Sequence, residues 1–150
     1  MCNYQLRFRT IEEYCALRCA IKKDIQKILG EENSFFMEVA INEAVNNALR
    51  ANDSKEVICF NLRVSANNRL IIRIKDHGEG FDVNKAWMEL SNSDLFEDRL
   101  FNESGRGLSI IHLAVDKMVF NKKGNELLLM KYITPNINSV TKKASIEVFA

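Results

Sequence analysis

Tyr4, Leu6 and Phe8 alternate with polar neighbours, the two-residue period of a half-buried strand. Then the period changes. Ile11, Tyr14, Leu17 with Arg18, Ile21, Ile25 and Ile28 recur at helical spacing, which predicts a helix ending at Gly30. Ser34 reads as the N-cap of a second helix reaching about residue 51, with Met37, Ile41, Ala44, Val45 and Ala48 on its apolar face. Two β-rich runs, 56–64 and 70–75, flank Ala66-Asn67-Asn68, a hairpin-like connection. A polar loop with two glycines fills 76–82. Residues 83–104 are irregular and charged, with at most a short helix over 83–90. A third helix is predicted to start near Gly107, carrying Leu108, Ile111, Leu113 and Val115. Runs 117–121 and 126–133 form a second hairpin around Lys122-Lys123-Gly124-Asn125. Beyond residue 134 the pattern weakens, and 145–149 either adds a strand or stays loose.

This order, β-α-α-β-β-α-β-β, contains two hairpins and therefore antiparallel pairs. The expected fold class is α+β: a two-layer α/β sandwich, its sheet mostly antiparallel, with about three helices on one face. The sole proline is Pro135, and no repeat or low-complexity stretch interrupts the chain. Residues 1–134 read as one domain and 135–150 as a C-terminal tail.

Composition narrows the function. The 150 residues are 47% apolar and 27% charged, with a formal net charge of +1. These values suit one globular domain with a sizeable core and give no electrostatic signature for nucleic acid. No cluster of basic residues stands out along the chain. No apolar run has membrane-spanning length and the first residues lack a secretory pattern, so a cytoplasmic protein is expected. Cys2, Cys15, Cys19 and Cys59 form no CxxC pair and are not spaced with His77 and His112 as zinc ligands. They read as reduced thiols filling the core.

Candidate chemistry is concentrated in three segments. Asp76-His77-Gly78-Glu79-Gly80-Phe81-Asp82 follows a strand; by itself this is an ordinary polar turn. Ser104-Gly105-Arg106-Gly107-Leu108 opens a helix, where free N–H groups and the helix dipole favour phosphate oxygens. Neither is followed by the residues of a P-loop or a dinucleotide fingerprint. The third segment, residues 40–48, sets Glu43 and Asn47 one turn apart on a face away from the apolar stripe. A carboxylate beside an amide oxygen suits proton transfer and hard-cation binding. Glu38 and Asn42 have the same spacing, and spacing does not choose between the pairs.

In order and separation the three segments resemble the N, G1 and G2 boxes of the Bergerat-fold (GHKL, histidine-kinase-like) ATP-binding proteins. Within these, Asn42-Glu43-Ala44-Val45-Asn46-Asn47-Ala48 and its partners look most like the anti-sigma-factor serine kinases of the RsbW type, over about residues 3–133. The resemblance selects Glu43 and Asn47. It implies ATP and Mg²⁺ as cofactors, Glu43 as catalytic base, and Asn47 as the Mg²⁺ ligand. It further implies that Asp76 accepts from the adenine amino group, a bond that would exclude guanine by about 10⁴. Gly78 would belong to the nucleotide-binding loop, and Gly80 would let the purine lie against the backbone. Gly105, Gly107 and Leu108 would present the phosphate-binding turn, and Arg106 would reach a phosphate, a partner carboxylate or solvent. Residues 83–104 correspond to the ATP lid, with Asn92, Ser93, Asp94, Glu97, Asp98 and Arg99 as its polar face. Two departures stand out: Ala51-Asn52 where the family often has histidine-glycine, and the aromatic pair Phe35-Phe36.

The function this implies is an ATP- and Mg²⁺-dependent protein-serine kinase that binds a sigma factor and phosphorylates an antagonist protein, thereby regulating transcription. Two alternatives stand beside it. One is a nucleotide-gated protein-binding module without phosphotransfer. The other is a stand-alone histidine-kinase-like ATPase domain, for which neither His77 nor His112 makes a suitable phospho-acceptor. A homodimer through the first strand and helix, with Arg18 as a contact, is the assembly that the resemblance suggests. Nucleic acid and membrane are not expected partners.

Overall fold

The computed structural model describes residues 2–53, 56–91, 103–133 and 145–149. The elements run β1 (Asn3–Phe8), α1 (Ile11–Leu29), α2 (Glu31–Ala51), β2 (Ile58–Ser65), β3 (Arg69–Lys75), α3 (Val83–Ser91), α4 (Glu103–Ala114), β4 (Lys117–Asn121), β5 (Glu126–Tyr132) and β6 (Ser145–Phe149). The six strands form one sheet in the order β1-β2-β3-β5-β4-β6. The first five strands pair antiparallel, as the hairpin pattern requires, and β6 joins β4 in parallel. The fold is therefore α+β. It has four helices among the described residues, because the segment after residue 82 forms one of its own.

Register assigns each side chain to a face. One cross-strand row aligns Leu6, Phe60, Ile74, Leu127 and Phe120; another aligns Tyr4, Leu62, Ile72, Leu129 and Met118. Most of these are buried beneath the helices, where Met37, Ile41, Val45 and Ala48 of α2 meet them. The expected apolar stripe of α2 is the one that packs. Burial of this surface is the main favourable term for folding. α2 lies between α1 and α4, so its three faces meet the sheet and two different helices.

Ser34 does not cap a helix. α2 begins at Glu31, directly after Gly30, whose φ of 78° lets the chain turn between α1 and α2 without a linker. Ser34 is buried within the helix and its Oγ donates to the Glu31 carbonyl at 2.9 Å. The start of α4 also differs from expectation. It lies at Glu103, four residues before Gly107, so Gly105 and Gly107 fall inside the helix. The four cysteines form no disulfide, but Cys15 and Cys19 are exposed and not core residues, while Cys2 and Cys59 are half-buried and Cys2 packs at the edge of the core. α1 turns Tyr14, Ile21 and Ile25 inward instead.

The opposite sheet face holds a surprise. Arg7, Arg63, Arg69, Arg73 and Lys75 are scattered in sequence, yet strand alternation and register bring them to this one side. The chain does have a basic cluster, contrary to the reading along the sequence. No helix among the described residues is long and apolar enough to cross a membrane.

Candidate nucleotide site

Glu43 and Asn47 sit half-buried on the α2 face turned to α4. Their neighbour is Gly107. A Cβ at that glycine would stand 3.0 Å from Glu43 Oε2 and 3.5 and 3.6 Å from the amide Nδ2 and Oδ1 of Asn47. The segments of residues 40–48 and 104–108, some sixty positions apart, are thus in contact through Gly107, which has no side chain to hold them apart. Glu38 and Asn42 face the other way. Lys22 Nζ is 3.4 Å from Glu38 Oε2, and the Tyr14 hydroxyl donates to Asn42 Oδ1 at 3.1 Å. Both partners belong to α1, so this pair is occupied in packing α1 on α2.

The loop after β3 is built around Asp76, which is only 7% exposed. Its backbone N–H donates to the Asn125 carbonyl at 3.0 Å, and its Oδ1 accepts from the Gly78 N–H at 2.7 Å. Burial pushes the carboxyl above its ordinary range, while the Gly78 N–H, His77 and Lys123 pull it back down. A buried carboxylate with one oxygen anchored has the other available to accept from a ligand N–H.

Each glycine of this loop has a packing reason. A Cβ at Gly78 would lie 2.2 Å from the Ala51 carbonyl oxygen, at the end of α2. Gly80 has φ 78°, and a Cβ there would lie 1.7 Å from the Lys123 carbonyl oxygen. That same carbonyl accepts from the Phe81 N–H at 3.0 Å. The requirement for glycine at 80 thus comes from the β4–β5 turn behind the loop, in addition to any purine in front of it. Gly124, at φ 82°, returns the contact: a Cβ there would be 2.8 Å from the Phe81 backbone. Asn121 Oδ1 holds that turn by accepting from the N–H groups of Gly124, Asn125 and Glu126 at 2.9–3.1 Å.

Three residues to which the sequence reading gave no role in this site belong to it or support it. Asn52 joins two of the segments: its Oδ1 accepts from the His77 N–H at 2.8 Å, and its Nδ2 donates to the carbonyls of Asp53 and Glu56. The departure at Ala51-Asn52 therefore makes a structural connection between α2 and the Asp76 loop. Arg50 donates through Nη2 to Asn47 Oδ1. It lies three positions beyond Asn47, a spacing that could have drawn attention to it. Lys123 had no such signal, being 43 positions from Gly80 in sequence and adjacent only through sheet pairing.

The expected phosphate-binding turn is altered. Because α4 starts at Glu103, the Gly107 N–H lies beyond the first turn, where intrahelical bonding already uses it. Arg106 is exposed and Leu108 packs at the edge of the core. The polar lid residues 92–99 lie outside the described residues, as does most of the tail. Among the described residues no cluster of three or more histidine, cysteine or acidic side chains forms a metal cage. Oxygen donors are nevertheless at hand: the paired carboxylate and amide beneath Gly107 are the hard ligands that Mg²⁺ takes, usually few in number.

The α+β sandwich thus sets Glu43 and Asn47 against Gly107 and packs the loop of buried Asp76 against the end of α2. The family model for the histidine kinase-like ATPase domain matches residues 15–131. The chain belongs to that family. No curated protein matches the sequence closely enough to name a relative.

Proposed function

We propose that the chain is an ATP- and Mg²⁺-dependent phosphotransferase, and that its substrate is a serine hydroxyl of a regulatory protein. The observation that carries the phosphotransfer reading is the contact of Gly107 with Glu43 and Asn47. It brings a carboxylate and an amide oxygen against α4 one turn in from its N-terminal end, the end whose dipole favours phosphate. In this reading Asp76 accepts from the adenine amino group. Asn47 Oδ1, with phosphate oxygens and water, would hold Mg²⁺, which spreads and neutralises the phosphate charge when bound. Glu43 accepts the proton of the attacking hydroxyl as its oxygen bonds to the γ-phosphorus and the bond to the leaving ADP oxygen breaks. Serine as acceptor, and a sigma factor with its antagonist as partners, rest on the motif resemblance alone.

One contact favours a second reading. Arg50 engages the Asn47 oxygen that the metal would need, which suits a module that binds nucleotide weakly and uses it to gate a partner instead of turning it over. Radiolabelled ATP, with a candidate antagonist bearing one serine in a small-protein fold, separates the two. The kinase reading expects label on that serine and its loss in Glu43→Ala with nucleotide affinity retained. ATP binding without transfer or hydrolysis, in the native chain, sinks it in favour of the gated module.

A further inference from the structure

Across the sheet from the helices lies a cavity of about 550 Å³. Two basic side chains, Arg63 and Arg73, and three amides, Asn3, Gln5 and Asn61, line it over an apolar floor of Ile71 and Leu128. Register explains the shape. Gln5, Asn61, Arg73 and Leu128 form one row across β1, β2, β3 and β5, and Asn3, Arg63 and Ile71 form the next. Four strands span roughly 14 Å, the length of about four residues of extended chain.

The surroundings are cationic. Arg7, Lys75 and Arg69 flank the cavity on the same face. Among the described side chains of these strands, the one carboxylate on this side is Glu126, already in contact with Arg73. Beyond the cavity, Arg69 Nε and Ser65 Oγ are buried without a hydrogen-bond partner among the described residues. They are cross-strand neighbours on this face, so two polar groups there still lack what burial normally demands.

We propose that this sheet face docks an extended acidic segment of a partner protein. Arg63 supplies a planar fork suited to a carboxylate, and the three amides can both donate to and accept from a peptide backbone. Ile71 and Leu128 receive the apolar side chains between the acidic ones. Nucleic acid fits less well, because the cavity contains no aromatic ring on which bases stack, and the neighbouring Tyr132 ring is already covered by the Arg69 guanidinium at 5.5 Å. A second copy of the same face fits worst, since it would set like charges against each other.

A fluorescein-labelled peptide of alternating glutamate and valine, titrated into the full chain with ADP in excess, tests this. Binding is expected to be about tenfold tighter than for the peptide with glutamine in place of glutamate, and to weaken with salt. Arg63→Glu, on an exposed side chain, should cost about tenfold more with the thermal midpoint unchanged. Arg73 is left intact because it neutralises buried Glu126; Asn61→Asp serves as the second variant and should weaken binding likewise. Amide shifts on peptide addition should centre on Asn61 and Arg63 and spare Gly107, which separates this face from the nucleotide site. Equal affinity for the two peptides, indifference to both variants, shifts centred on Gly107, or tighter binding of a single-stranded oligonucleotide would overturn the proposal.

Discussion

Gly107 of α4 faces Glu43 of α2 so closely that a methyl group in its place would stand 3.0 Å from the carboxylate Oε2. Gly107→Ala is therefore a probe of chemistry more than of folding. Alanine favours the helix by about 1 kcal/mol over glycine, which offsets the tight contact. The thermal midpoint should change little. ATP turnover should fall by about tenfold or more, because the carboxylate must move by a few tenths of an ångström. Turnover unchanged in a normally folded variant would remove Glu43 from the chemistry.

Asp76 gives a pH dependence with two opposite signs. Its carboxyl is held above the ordinary range, chiefly by burial. An adenine amino group needs the charged, accepting form, so ATP affinity should decline as pH falls through that raised value. The decline should begin at higher pH than an exposed carboxylate would give. For stability, a raised folded-state pKa contributes most below the unfolded value and is lost as pH rises through the folded one. Calorimetric titration of ATP across the acid range should show the step, and Asp76→Asn should bind about tenfold or more weakly and lack it.

Gly80→Ala and Gly124→Ala should each destabilise the fold by about 2 kcal/mol or more, since both positions combine positive φ with a backbone contact too close for a side chain. Denaturant unfolding measures this. Alanine at Gly30, also at positive φ but with nothing within 4 Å of its Cβ, should cost less, about 1 kcal/mol.

Arg50→Ala should free Asn47 Oδ1. The Mg²⁺ concentration giving half-maximal ATP binding should drop by a few fold, a modest effect because the contact is exposed and screened. A rise instead would show that Arg50 serves the phosphates.

Local pattern was sufficient for much of this molecule. The hairpins over β2–β3 and β4–β5, the long helices and the α2 stripe follow from periodicity, because alternate burial on a sheet and three- or four-residue burial on a helix are properties of neighbours in sequence. Errors fell at boundaries and at exposure. Ser34 had the chemistry of a cap, yet Gly30 turned the chain first. Cys15 and Cys19 had the size of core residues, yet α1 turned that face to solvent. Among the candidate site residues, Glu43, Asn47 and Asp76 were visible through their motifs and Asn52 only as a departure from the family pattern, while Arg50 was not singled out and Lys123 could not be.

By itself the sequence determined the α+β class, the three motif segments and the identity of their polar residues. Tertiary structure decided which of the two Glu/Asn pairs faces a glycine and which packs on α1, since both have one spacing and differ only in the helix each meets. It decided too that Gly80 rests on Lys123 and that scattered arginines share one face. Such relations depend on strand register and helix docking. Those are set by the burial of whole surfaces, and no stretch of neighbouring residues encodes them.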